Sequence, residues 1–198
     1  LKGLPTADRL EAEGRLAALK AEHNLAESVL AAAKQARFPI LITTADNVLM
    51  TPESIALMIA GAGEADAAAA FARKADILAA HPEGQRRFYE FADDGYSNCN
   101  TYWIGRPDVL RVVEIFREGG QFAKNPRRVI AAFGLVNTLM FRQGWLSLAG
   151  AFKRISKRVK VSLVPVVLAD GSYAIDVDNE RTHACATEIM ARRRAAAA

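Results

Sequence analysis

Few patterns restrict a fold as much as an apolar run that stops on an acid and restarts as a helix, and Phe38 to Ile55 (FPILITTADNVLMTPESI) is such a stretch. Ile40, Leu41 and Ile42 run together without polar alternation, as in a strand covered on both faces. Thr51-Pro52-Glu53 reads as an N-cap followed by proline in the first helical position, opening a helix through about Gly61. Strand, loop and helix in succession form the unit of open α/β sheets, whose ligands bind beyond the carboxyl ends of the strands. Asp46 stands at such an end, either as a ligand-binding carboxylate or as a turn cap.

The rest of the chain alternates in the same way. Asn24 and Glu27 have capping-box spacing ahead of an apolar face formed by Leu25, Val29, Ala32 and Ala33, which predicts a helix over about 24–37. The alanine-rich stretch 65–72 suits a helix by propensity but a parallel strand by position, and position is favoured. Phe88 and Phe91 lie on one side of Asp94-Gly95 and Tyr102, Trp103 and Ile104 on the other, which predicts two paired strands. Pro107 opens a helix with Val109, Leu110, Val113 and Phe116 as its buried stripe. Helical patterns follow at 126–143 and 146–158, then a strand at 160–168, a turn at 169–172, a short strand at 173–178 and a terminal helix over 180–194. The expected class is α/β: a three-layer α/β/α sandwich with a mixed, mainly parallel sheet. One domain spans 1–194 with a helical insert at about 120–160, and 195–198 is set aside as an alanine tail.

Composition removes several function classes. The chain has 198 residues, 51% of them hydrophobic, enough for one substantial core. Its two cysteines are too few for a disulfide framework, and no segment reads as a leader or membrane span, so a reduced, cytoplasmic setting without integral membrane association is expected. A net charge of +4 permits anionic ligands but is too small to imply nucleic acid. The three histidines lack metal-ligand spacing, and no Ser-His-Asp or Cys-His set can be assembled.

A second acidic strand end repeats the first. In AIDVDNE, Asp176 and Asp178 alternate with Ile175 and Val177 just ahead of a helix, so a strand would place both acids on one side. Carboxylates that converge repel unless a cation neutralises them, and oxygen ligands of this kind suit Mg²⁺ completed by water and phosphates. Alternatively, Asp178 caps the terminal helix and Asp176 pairs with an arginine.

These segments resemble the MobA-like NTP transferases. PILITTADNVLMTPESI looks like that family's TTADxPLLTPE segment, AEHNLAESVLAAA its preceding helix, GYSNCNTYWI its SxxN strand and AIDVDNE its DVDxPED ending, in the family's order from about residue 20 to 190. The resemblance implies a Rossmann-like fold and transfer of NMP from an NTP to a small phosphorylated acceptor, with release of pyrophosphate. Asp46 and Asp176 would be catalytic and hold Mg²⁺, with Asp178 a lesser ligand. Thr44 and Ser28 would contact the nucleotide. Asn98, Asn100, Arg87, Lys124 and Arg127 would contact the acceptor, although asparagines in turns often serve only their own backbone and surface cations are often merely solvated.

The chain also departs from that family. Asn47-Val48 replaces a residue-proline pair and NER replaces PED. The opening strand and glycine-rich loop that cradles the triphosphate have no counterpart in these 198 residues. The expectation is that these 198 residues are part of a longer protein and cannot transfer nucleotide by themselves, the alternative being a remnant that binds without transfer. A glycosyltransferase of the GT-A type and a noncatalytic nucleotide-binding module are the other readings. Lys153, Arg154, Lys157, Arg158 and Lys160 form basic rows opposite Phe152, Ile155 and Val159, either a patch for a polyanion or membrane surface or an ordinary solvated face.

Overall fold

The computed structural model describes residues 5–14, 17, 19–113 and 134–196. Helix α1 (Pro5–Ala12) and helix α2 (Leu25–Ala33) precede strand β1 (Ile40–Thr43). Then come α3 (Pro52–Ala62), β2 (Ala67–Arg73), α4 (Lys74–Ala80), β3 (Tyr89–Glu90) and β4 (Gly95–Ile104). A 3-10 turn at Pro107–Val109 leads into α5 (Leu110–Val113), followed by α6 (Leu135–Arg142), α7 (Leu148–Val159) and β5 (Leu163–Leu168). A second 3-10 turn, Gly171–Ala174, precedes α8 (Glu180–Ala196).

Local chemistry accounts for the helix starts. The Asn24 side chain accepts from the Glu27 backbone N–H at 3.0 Å. Thr51 accepts from Ser54 N–H while the Ser54 hydroxyl accepts from Thr51 N–H, a reciprocal cap reinforced by Pro52. Helix α8 is capped by Asn179, whose Oδ1 accepts from Thr182 N–H at 3.2 Å. Asp178, the expected alternative cap, instead donates its backbone N–H to Thr182 Oγ1 at 3.0 Å. The helix also continues through Ala196, because an unbranched alanine run extends a helix at little cost, so the tail set aside from the sequence is partly helical.

The sheet order is β1-β4-β2-β5, with β3 paired to β4. Strands β1, β2 and β5 point the same way, but antiparallel β4 lies between β1 and β2, so only β2 and β5 form a parallel ladder. The alanine-rich stretch is strand β2, and the Asp94-Gly95 hairpin forms. Period-two alternation divides the sheet's side chains between two cores. Leu41, Ala68, Ala70, Ala72, Val166 and Leu168 pack with Met58, Ile77, Cys185 and Ile189 from α3, α4 and α8. On the opposite face, Ile40, Ile42, Ala67, Phe71 and Leu163 meet Leu110 and Val113 of α5 and Phe152 and Val159 of α7. This is the expected three-layer arrangement.

Close approach at Gly61 and Gly171 sets how two elements pack. A Cβ on Gly61 would come within 2.6 Å of the Val166 side chain, so α3 lies tightly on β5. A Cβ on Gly171 would come within 2.2 Å of the Asp76–Ile77 backbone, so the second 3-10 turn is pressed onto α4.

Two expectations are corrected. The short strand at 173–178 is absent: 171–174 is a 3-10 turn and 175–178 is irregular, because this segment crosses over β2 and β4 with Tyr173, Ala174 and Ile175 in the core. Helix α4, packed through Ile77, follows β2 without a break and was not anticipated. Phe116 and residues 126–133 of the expected helices lie outside the described residues.

Candidate functional site

The crossing segment returns the second acid to the first. Asp46 and Asp176, 130 positions apart, meet beyond the end of β1, where Val177 N–H donates to the Asp46 carbonyl at 3.0 Å. The Asp46 side chain follows the strand through the loop 44–50. Its neighbour Asn47 is 5% exposed and holds that loop, donating from Nδ2 to the Cys99 carbonyl at 2.8 Å and to the hydroxyls of Thr43 and Thr101 at 3.3 Å each. In the sequence alone Asn47 stands out only as a departure from a family pattern. Its signal is an amide side chain directly after a strand-end acid, where backbone groups need partners.

Asp176 is positioned differently. Asn100 donates from Nδ2 to Asp176 Oδ2 at 2.7 Å. A bulge makes that contact possible. Ala69 pairs with Tyr102 but Phe71 pairs with Asn98, so β4 carries extra residues there, and Asn100 adopts φ +47°. Asparagine tolerates that left-handed conformation better than most side chains, and bulges re-aim side chains next to sites. Asn98 locks it, its Oδ1 accepting from Asn100 N–H at 2.6 Å. Asn98 therefore serves the backbone, and Asn100 reaches the acid.

The second acidic segment is tied to the first by a residue that sequence reasoning missed. Arg193 on α8 donates to the Leu49 carbonyl at 2.7 Å, to Ser172 Oγ at 2.7 Å and to Asp170 Oδ2 at 3.0 Å. Its guanidinium lies over the Tyr173 ring, 5.5 Å from the centroid, and the Tyr173 hydroxyl is 3.0 Å from Thr51 Oγ1. An arginine near the end of a terminal helix carries no sequence signal for this role.

The electrostatics follow from the packing. Burial pushes the Asp176 carboxyl up to about 6, the Asp46 charge adds to this, Asn100 opposes it and Asp178 adds a smaller push. Asp46 Oδ1 and Asp176 Oδ1 are both buried with no hydrogen-bond partner among the described residues. Buried carboxylate oxygens normally have partners, so this pair has unused ligand capacity. Oxygen donors of this charge fit Mg²⁺. Among the described residues no three His, Cys, Asp or Glu side chains group closely enough to hold an ion, so the protein would supply two carboxylates and leave the remaining positions to water and substrate.

The other expected residues are distributed unevenly. Thr44 lies in the Asp46 loop with a buried hydroxyl that lacks a partner among the described residues. Ser28 Oγ is engaged locally, accepting from Glu22 N–H and donating to the Asn24 carbonyl, both at 3.0 Å. Arg87 is exposed ahead of β3. Lys124 and Arg127 lie outside the described residues. Cys99 and Cys185 are free and buried, and burial pushes the Cys99 thiol far up, which makes it core rather than nucleophile.

No family model matches the chain, and no curated protein matches it. Among solved structures, it is similar to a protein described as a hypothetical transferase from Thermus thermophilus. The TM-score is 0.74 and the identity 21%, over 83% of this chain and 71% of that one. What the two chains share at that identity is the fold, an α/β sandwich with a mixed sheet.

Proposed function

We propose that this chain carries the cation-binding acids of a nucleotidyltransferase, which joins NMP from an NTP to a small phosphorylated acceptor. The observation that carries the reading is the convergence of Asp46 and Asp176, each with a buried oxygen that lacks a partner among the described residues. The resemblance of the segments around both acids to MobA-like NTP transferases supports it, as does the description of the similar solved structure as a hypothetical transferase. In the proposed reaction an acceptor phosphate oxygen bonds to the α-phosphorus, the bond from that phosphorus to the bridging oxygen breaks, and pyrophosphate leaves. Mg²⁺, when bound, would neutralise charge on the phosphates and help align them.

The chain's own residues supply the rest. Asp46 and Asp176 offer their unpartnered oxygens as ligands, and Asn100 keeps Asp176 oriented through its other oxygen. Asn98 and Asn47 stiffen the backbone on either side, so the pair is organised before a ligand arrives. Thr44 is the hydroxyl best placed by sequence to reach a bound nucleotide.

Two measurements test the reading. Calorimetry should detect one divalent cation in the wild type and none in Asp46→Asn or Asp176→Asn. Pyrophosphate release by the full-length protein, screened over the four NTPs with sugar, alditol and pterin phosphates, should fall by on the order of several kcal/mol of barrier, about a hundredfold or more, in either variant. Full activity in Asp46→Asn would reject the assignment, and cleavage of sugar nucleotides alone would favour the glycosyltransferase reading.

A further inference from the structure

On the face of the sheet covered by α7, a second feature shares no residue with the acid pair. The first turn of α6, Gly134 to Asn137, forms one wall of an open groove of about 600 Å³, and Arg154, Lys157 and Arg158 form the other. Among the described residues that line it, none is acidic. Arg154 is held over the groove by the Asn137 side chain, to which its Nη1 donates at 3.3 Å. Lys153, Arg154, Lys157, Arg158 and Lys160 are all exposed, whereas Phe152 and Val159 on the other side of α7 pack into the core on this face of the sheet. The basic rows therefore face solvent because their helix is anchored by its apolar side.

The α6 wall adds an apolar component. Leu135 is 56% exposed, Val136 65% and Leu139 52%, and Arg142 follows Leu139 in the same helical row. These side chains flank the groove without being covered, although α6 packs inward elsewhere, with Phe141 edge-on to Phe91 at 5.1 Å.

Two sources of anion could meet the cations: a soluble phosphate compound or the headgroups of a bilayer. The basic rows from 153 to 160 extend on the order of 10 Å along the helix, more than one phosphate spans. A soluble oligophosphate would also leave Leu135, Val136 and Leu139 in water. A bilayer containing anionic lipid satisfies both requirements at once, headgroup phosphates meeting the cations while the apolar row enters the boundary with the acyl chains. Among the described residues no helix is long and apolar enough to cross a membrane, and this arrangement requires none. We propose that the α6–α7 face is a docking surface for anionic phospholipid.

The test is co-sedimentation of the full chain with sucrose-loaded vesicles, either pure phosphatidylcholine or phosphatidylcholine with about one third phosphatidylglycerol, at about 0.1 M salt. The wild type should pellet with the anionic vesicles and not with the neutral ones, and should return to the supernatant at about 0.5 M salt. Charge reversal in Arg154→Glu/Lys157→Glu should lower partitioning at least about tenfold, since each cation near such a surface contributes about a factor of five. Leu135→Ser/Leu139→Ser should lower it severalfold while keeping the salt dependence. All four positions are exposed, and unchanged thermal unfolding would show that the fold is intact. The proposal is overturned if the wild type stays in the supernatant with anionic vesicles, or if charge reversal leaves partitioning unchanged. It is equally overturned if calorimetry finds tripolyphosphate binding at this groove without vesicle binding, which would make it a soluble-anion site.

Discussion

Asp46 and Asp176 reach the same place by different means. Asp46 follows a strand whose ladder to β4 runs from Ile40 to Thr43, and its loop is held by the buried amide of Asn47. Asp176 follows a 3-10 turn and an irregular segment, placed by the close contact of Gly171 with α4, by Arg193 from α8 and by Asn100 from a bulge in β4. The first acid is positioned by its own strand and by one neighbouring strand, β4, to which the Asn47 amide also donates. The second depends on three distant elements, so its placement should be the more easily disturbed.

The largest disturbance should come from Gly171→Ala. The added methyl would meet the Asp76–Ile77 backbone at 2.2 Å, and neither backbone can yield as a side chain tip would. A loss of about 3 kcal/mol or more in urea unfolding is expected, with weakened divalent-cation binding. A loss below about 1 kcal/mol would mean that the turn is not held by α4, and the contrast between the two acids would weaken.

Arg193→Ala should act less strongly but on both segments at once. It removes donors from the Leu49 carbonyl, Ser172 and Asp170, and a change of about 2 kcal/mol is expected for a partly exposed, charge-assisted set of this kind. Arg193→Lys should recover less than half of it, because an ammonium cannot reproduce the planar fork. Mn²⁺ affinity, read by electron paramagnetic resonance, should fall in parallel. Unchanged affinity at reduced stability would show that the acids hold each other without this tie.

The smallest expected effect is in pH dependence. Folding raises the Asp176 carboxyl from 3.8 to about 6, so the folded chain holds this proton more tightly than the unfolded one. Its contribution to stability is therefore full below about pH 4, declines as pH rises through about 6 and is constant above. Without divalent cations, wild-type melting temperature should fall over this window relative to Asp176→Asn. Asn100→Gly removes a hydrogen bond that favours the carboxylate, so it should move the decline to higher pH, with carbon-13 resonances of the carboxyl reporting the titration directly. Absence of the decline would mean that Asp46 and burial do not act on Asp176.

Legibility in the sequence followed the range of the interactions. The caps at Asn24 and Thr51, the hairpin at Asp94-Gly95 and the one-sided chemistry of residues 148–159 each depend on groups a few residues apart, and each was readable. Strand β2 was harder, because a run of alanines has helical propensity and becomes a strand only through neighbours on both sides. Asp178 and Asn179 are both capping residues side by side, and only the hydrogen bonds with Thr182 distinguish them.

By itself the sequence determined that the chain forms alternating strands and helices, where most of them begin, and that two acids stand just beyond apolar segments. Those properties arise from periodicity and from side chains capping their own backbone. The tertiary structure alone decided that β4 runs antiparallel between β1 and β2, that residues 173–178 do not extend as a strand, and that a bulge aims Asn100 at Asp176. It also decided that Arg193 joins the two acidic segments. Each of these depends on contacts between groups far apart in the chain. Ladder register, close backbone approach and burial exist only once the layers have packed, and no local pattern of residue types encodes them.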